Sequence, residues 1–160
     1  MHAPTLYLDS SVIGGYFDEQ FAKATRELWR QMEQGRYRFV ASTLVAQEIL
    51  GAPKAVQKLF KQTFSRSGSI LAVNDEMEGL AEVYLRQNVV PARYADDAGH
   101  VAACVVARLD YLVSWNFNGV PPIWWTVVSL KLDTSERNML KLHGIQGWGR
   151  GPGKRAGSNR

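Results

Sequence analysis

The sequence has 160 residues, of which 46% are hydrophobic and 21% charged, and this composition is typical of one globular domain. A single cysteine, Cys104, excludes a disulfide framework and a cysteine-based zinc site, and it indicates a reducing, cytoplasmic compartment. The longest apolar runs reach only about half a membrane span, and no basic-then-apolar leader opens the chain, so we expect no membrane association.

The excess of positive charge lies at the C-terminal end. Nineteen Lys and Arg and fifteen Asp and Glu give a net charge of +4. After residue 149 there is no acid, and there are four cations: Arg150, Lys154, Arg155 and Arg160. Residues 1–149 therefore contain equal numbers of acids and cations. A basic balance often accompanies nucleic-acid binding, but here it belongs to a Gly-rich tail from about residue 149, which we predict to be disordered.

Predicted strands and helices alternate along the chain. Short β-rich runs between turn residues predict strands at 5–8, 37–41, 69–73 and 111–115, and the first is followed by a loop containing Gly14 and Gly15. Apolar residues at helical spacing predict helices at 20–34, 44–50, 54–64, 75–87 and 97–109, and Asn74 is the expected N-cap of the fourth. Residues 123–132 favour an edge strand. This alternation predicts an α/β fold with a mainly parallel sheet between helices.

Three acids occur at unusual places. Asp9 directly follows the first strand, Glu48 lies inside an apolar segment, and Asp97 opens a helix with an apolar body. Asn116 follows the fourth strand, as Asp9 follows the first. Sites in open parallel sheets form outside the carboxyl ends of strands, and oxygen ligands gathered there suit Mg²⁺ or Mn²⁺.

From the residues alone, each acid also has a purely structural interpretation. Asp9 is suited to begin a turn or cap a helix. Glu48 near a helix end is suited to a solvated position, and Asp97 to a favourable charge at a helix N-terminus.

Four segments carry a resemblance to a known family: LYLDSSVI, VAQEIL, YADDAGHVAAC and YLVSWNF. In this order they resemble the signature stretches of PIN-domain nucleases, especially the VapC-like toxin ribonucleases of type II toxin–antitoxin pairs. The similarity covers residues 6–117. It implies a Rossmann-like three-layer PIN domain over residues 1–133, with a central mainly parallel sheet flanked by helices. Residues 134–160 form a C-terminal end that departs from the family.

The resemblance also implies the catalytic residues. Asp9, Glu48 and Asp97 match the first three acids of the family and are the expected ligands of Mg²⁺ or Mn²⁺. In the third motif Asp97 is matched rather than Asp96, because it directly precedes the alanine. Asn116 stands where many members have a fourth acid and completes the expected catalytic set.

Three further residues are expected to support this site. Ser10 or Ser11 resembles the hydroxyl residue that supports the first acid in the family. His100 lies one helical turn beyond Asp97 on roughly the same face. It is expected either to support the site or to be an ordinary helix histidine.

The activity implied by the resemblance is metal-dependent hydrolysis of RNA phosphodiesters, which leaves a 5′-phosphate and a 3′-hydroxyl. The implied partners are an RNA substrate, a cognate antitoxin protein and a second copy of the chain in a homodimer. Two alternatives remain open at this point. One is a housekeeping RNA-processing nuclease of the same fold, and the other is a catalytically weak PIN-like module that binds RNA or protein.

Overall fold

The computed structural model describes residues 2–88, 92–116, 127–130 and 142–144. Pro91, most of the predicted strand 123–132 and the tail from residue 149 lie outside the described residues. In chain order the elements are β1 (Thr5–Leu8), α1 (Ser10–Gly15), α2 (Ala22–Glu33), β2 (Arg38–Ser42), α3 (Thr43–Leu50), α4 (Lys54–Arg66), β3 (Ser69–Leu71), α5 (Asp75–Arg86), a 3₁₀ turn (Ala92–Tyr94), α6 (Ala95–Val106), β4 (Tyr111–Val113), β5 (Val127–Leu130) and β6 (Leu142–Gly144).

A single sheet organises these elements in the order β3-β2-β1-β4-β5-β6. The four strands from β3 to β4 are parallel, with Leu6 of β1 opposite Phe39 of β2 and Tyr111 of β4. Strands β5 and β6 add to β4 in antiparallel fashion. Helices α1 to α4 contact one another, and α5 packs on α6. The predicted α/β fold with a mainly parallel sheet flanked by helices is therefore confirmed.

Strand β1 occupies the centre because it is apolar on both faces. Its residues Leu6, Tyr7 and Leu8 are buried, as expected for a strand covered by helices on both sides. The apolar face of α6, including Val101 and Cys104, joins the same core. Burying side chains of this size contributes about 1.5–3 kcal/mol each. Within the described residues, no helix is long and apolar enough to cross a membrane.

The structure corrects two predictions about local elements. The loop expected around Gly14 and Gly15 is helix α1, because Asp9 caps a short helical turn by accepting a hydrogen bond from the amide of Val12. Residues 123–132 were predicted to form an edge strand, but β5, which falls in this range, lies inside the sheet between β4 and β6. Its second neighbour comes from the C-terminal end of the chain, where no strand was predicted.

Gly15 is required where α1 meets Trp115, the second residue after β4. A Cβ atom at Gly15 would lie 2.6 Å from the indole ring of Trp115, and 3.1 Å from Oγ1 of Thr25. The indole is held in this place, since its Nε1 donates to Thr25 Oγ1 at 3.1 Å and its ring stacks on Phe21. A side chain at Gly14, by contrast, would meet nothing within 4 Å.

These two glycines provide a matched test of the packing. We expect Gly15→Ala to lower the free energy of unfolding by about 1–3 kcal/mol, because the indole must move. Gly14→Ala should leave it unchanged or raise it, since alanine is the better helix former. Urea unfolding followed by far-UV circular dichroism measures both, and equal effects of the two variants would contradict the tight contact at Trp115.

Candidate active site

The ends of β1 and β4 are joined by the side chain of one serine. Ser11 Oγ donates to Asp9 Oδ1 at 2.6 Å and accepts the backbone amide of Trp115 at 2.9 Å. Ser114 Oγ lies 3.4 Å from Ser11 Oγ and accepts the amide of Asn116 at 3.0 Å. Because β1 and β4 are parallel neighbours, Asp9 and Asn116 leave the sheet at the same edge, as predicted.

Asp9 is a buried carboxylate at this edge. Burial raises its pKa above the ordinary value of 3.8, although hydrogen bonds from Ser11, from Ser114 and from the amide of Val12 act in the opposite direction. Its role as the N-cap of α1 is thus real. This structural role and a role in a functional site are compatible, because the cap orients the carboxylate at the strand end.

Glu48 is held by a buried histidine from another helix. His100 Nε2 lies 3.0 Å from Glu48 Oε1, and the histidine side chain is buried whereas that of Glu48 is 35% exposed. The hydrogen bond from His100 lowers the pKa of Glu48, and Ser10 adds a further hydrogen bond that lowers it. Burial alone lowers the pKa of His100, but the bond to Glu48 and the charges of Glu48, Asp9 and Asp97 outweigh burial and raise it.

Asp97 and Asp96 differ as their positions on α6 require. Asp97 is half-buried and Asp96 is exposed, since adjacent helical side chains point about 100° apart. Burial raises the pKa of Asp97, and the negative charges of Asp9, Asp96 and Glu48 raise it further. The structure therefore brings the three predicted acids within electrostatic reach of one another.

The two serines of α1 serve different acids. Ser11 bonds to Asp9, whereas Ser10 bonds to Glu48. The sequence predicted one supporting hydroxyl, Ser10 or Ser11, and the structure has both. Sequence reasoning missed Ser114, which stabilises the charged form of Asp9. Its position just before Trp115 in YLVSWNF, at the end of a strand parallel to β1, is the signal that would have indicated it.

A pocket of about 530 Å³ borders these residues. Its lining includes the polar residues Ser11, Asp18 and Asn116 and the aromatic rings of Phe17, Phe21 and Trp115. Phe17 is one of the exposed large apolar side chains among the described residues. Ser11 and Asn116 thus border a largely apolar cleft, and the part of its lining that the structure describes does not include Asp9, Glu48 or Asp97.

The oxygen atoms offered by the acids of this site are chemically suited to a hard divalent cation. Asp9, Glu48 and Asp97 offer carboxylate oxygens, the ligands that Mg²⁺ and Mn²⁺ take in proteins. Burial raises the pKa of both Asp9 and Asp97, so a cation bound beside them would favour their charged forms. Among the residues that the structure describes, no three His, Cys, Asp or Glu side chains are grouped closely enough to enclose a metal ion.

The fold of the chain is that of VapC toxins. No protein-family model and no curated protein sequence matches the chain. The structure is similar to that of Mycobacterium tuberculosis VapC20, a sarcin-ricin loop cleaving toxin, with a TM-score of 0.54 and 14% identity, covering 71% of this chain and 91% of that one. It is also similar to VapBC2 from Rickettsia felis bound to a DNA fragment from its promoter, with a TM-score of 0.51 and 13% identity, covering 71% and 89%.

These likenesses confirm the three-layer PIN fold that the sequence motifs implied. At 13–14% identity they establish the fold alone. The roles of Asp9, Glu48, Asp97 and Asn116 rest on the motifs of this sequence and on the geometry described above.

The buried charge of Asp9 predicts a characteristic pH dependence of stability without metal. Because its pKa is raised on folding, the folded protein binds the proton more tightly than the unfolded chain, and this group's contribution falls as pH rises from 3.8 through the raised pKa. Asp9→Asn keeps an N-cap oxygen and removes the charge. We therefore expect its free energy of unfolding, relative to that of the original chain, to increase with pH across this window.

Urea unfolding in a chelator at several pH values measures this difference. Asp96→Asn, which removes the charge of an exposed acid, is the matched control against which the pH trend of Asp9→Asn is judged. A constant loss of stability in Asp9→Asn at every pH would mean that Asp9 is only a helix cap.

Proposed function

We propose that the chain is a metal-dependent endoribonuclease, the toxin of a type II toxin–antitoxin pair. The observation that carries this proposal is that Asp97 feels the negative charges of Glu48 and of Asp9, which follows strand β1 at its carboxyl end, in a chain with the VapC fold. In parallel sheets, the carboxyl ends of the strands are where ligands bind. Both similar structures are of VapC-type toxins or their complexes, which supports the same activity.

Asp9, Glu48 and Asp97 would hold Mg²⁺ or Mn²⁺, and the amide oxygen of Asn116 would complete the polar edge without adding charge. When bound, the cation supplies positive charge that polarises a phosphodiester and promotes ionisation of water. The protein's own contribution is orientation. Ser11 fixes Asp9 relative to β4, and His100 and Ser10 fix Glu48 relative to α6 and α1.

The decisive test separates Asp97 from Asp96. Asp97→Asn should reduce Mn²⁺-dependent RNA cleavage by more than about a hundredfold, because even partners of metal ligands contribute about 10–100-fold. Asp96→Asn should retain most of the activity, since its side chain is exposed. Suitable substrates are an RNA stem-loop with the sarcin-ricin sequence and an unstructured RNA, each assayed with Mn²⁺ and with a chelator.

Stability measurements make this comparison independent of unfolding. Without metal, Asp97→Asn should melt at the same or a higher temperature, because it relieves repulsion among the carboxylates. If Asp97 only stabilised the helix N-terminus, the free energy of unfolding of the variant would instead fall by on the order of 1 kcal/mol, and RNA cleavage would be unchanged. Equal cleavage by the two variants would contradict the assignment of Asp97.

The proposed toxin role predicts an inhibitor that binds the same acids. An antitoxin segment that presents Arg or Lys would form charge-assisted hydrogen bonds with Asp9, Glu48 and Asp97. Co-expression with the product of a short adjacent gene should yield a stable complex, abolish RNA cleavage and relieve growth arrest. A chain that cleaves RNA but is harmless when expressed alone would favour a housekeeping nuclease, and a chain without metal-dependent cleavage would favour a binding module.

A further inference from the structure

A chain of hydrogen bonds runs through the core and ends on Glu48. Ser42 Oγ lies 2.6 Å from Tyr7 Oη, which lies 2.8 Å from His100 Nδ1, and His100 Nε2 lies 3.0 Å from Glu48 Oε1. Ser42 and Tyr7 are fully buried and His100 is 4% exposed. Four secondary-structure elements are linked in this way: β1 through Tyr7, β2 through its last residue Ser42, α3 through Glu48, and α6 through His100.

Glu48 determines how protons are distributed in this chain. A carboxylate accepts hydrogen bonds, so the His100 Nε2 that it contacts at 3.0 Å carries a proton. The other ring nitrogen, Nδ1, is left to bond the Tyr7 hydroxyl, which also bonds the Ser42 hydroxyl. Every hydroxyl and ring nitrogen in the chain is used, and the orientation of the imidazole is fixed at both ends.

Ser42 shows that this arrangement is more than incidental core packing. It occupies the N-cap position of α3, where a serine usually bonds the helix amides, but its side chain makes no capping hydrogen bond. Its hydroxyl is directed to Tyr7 instead. A cap is worth about 1 kcal/mol, and a buried tyrosine hydroxyl is costly without a partner. Phenylalanine at position 7 with a capping serine would satisfy folding alone.

We propose that Tyr7, His100 and Ser42 are positioning residues that hold the Glu48 carboxylate toward the cation expected beside Asp9 and Asp97. The inference rests on the proposed function for the identity of that cation. Glu48 is a flexible, partly exposed side chain, and a rigid imidazole confines its carboxylate to one orientation. Such outer partners commonly change metal affinity about 10–100-fold.

The test uses Tyr7→Phe in the full chain, with Tyr84→Phe as the matched control. Tyr7→Phe removes one hydroxyl and keeps the ring, so the apolar core is retained. Tyr84 is a half-buried tyrosine at the edge of the same core. The first readout is the Nε2–H signal of His100 in ¹⁵N-histidine NMR of the metal-free protein, assigned by its absence from His100→Gln. The second readout is the affinity for Mn²⁺ alone, measured by electron paramagnetic resonance.

We expect Tyr7→Phe to lose the Nε2–H signal to solvent exchange and to bind Mn²⁺ about tenfold more weakly, whereas Tyr84→Phe retains both. If Tyr7→Phe keeps the signal and the Mn²⁺ affinity while melting at a lower temperature, Tyr7 is a core residue only and the inference is wrong. If circular dichroism shows that Tyr7→Phe is unfolded, Ser42→Ala is judged by the same two readouts.

The two proposals fail in different ways. If the original chain does not bind Mn²⁺, the proposed metal-dependent function is contradicted, and the positioning role is then decided by the His100 signal alone. If the original chain binds Mn²⁺ and cleaves RNA but Tyr7→Phe matches it in both readouts, the function stands and the positioning role is overturned.

Discussion

The burial of the Asp9 carboxylate at the end of β1 is the constraint around which the rest of the site is arranged. A buried charge needs hydrogen-bond donors, and Asp9 obtains them from Ser11, from Ser114 and from the amide of Val12. These donors come from α1 and from the residue after β4. Since Ser11 also accepts the amide of Trp115, the groups that stabilise the charge also join two neighbouring strand ends. The hydrogen bonds that stabilise the charge of Asp9 thus also determine how the ends of β1 and β4 are arranged.

The three acids are stabilised to different degrees, and the difference has functional meaning under the proposed activity. Burial raises the pKa of Asp9, and burial together with the negative charges of Asp9, Asp96 and Glu48 raises the pKa of Asp97. Glu48 has a lowered pKa because His100 compensates it directly. The site therefore combines one ionised, oriented carboxylate with two that gain most from an added cation. Binding of a divalent ion would remove the repulsion that the metal-free protein must tolerate.

Much of this arrangement was predictable from the sequence, because it depends on periodicity and topology. Apolar strands that alternate with amphipathic helices require a mainly parallel sheet, and residues directly after such strands meet at one edge. This reasoning placed Asp9 and Asn116 correctly. Helix α1 was missed because its two glycines are typical of a loop. The two glycines destabilise only the end of a short helix, and the absence of a side chain at Gly15 leaves room for the ring of Trp115.

The hydrogen-bonded chain to Glu48 was not predictable, because its members have ordinary local interpretations. Tyr7 reads as one apolar residue of a buried strand, and Ser42 reads as a helix cap. Their partners lie far away in sequence, since Tyr7 and His100 are separated by 93 positions. Only the packing of α3 on β2 and of α6 on β4, the two strands beside β1, brings the hydroxyls to the imidazole. Such contacts are properties of the assembled fold, and local patterns do not encode them.

The distribution of charge limits how a nuclease with this site can approach its substrate. Residues 1–149 contain as many acids as cations, and three of the acids, Asp9, Glu48 and Asp97, lie within electrostatic reach of one another. An RNA phosphate that approaches Asp9, Glu48 and Asp97 meets negative charge in a partly buried setting, where screening by salt is weak. Under the proposed function, the cation is therefore needed before any bond is cleaved, because it makes the edge attractive to phosphate. An antitoxin that brings its own guanidinium or ammonium group faces no such barrier, so the same acids that require a cation to admit RNA bind a cationic inhibitor directly.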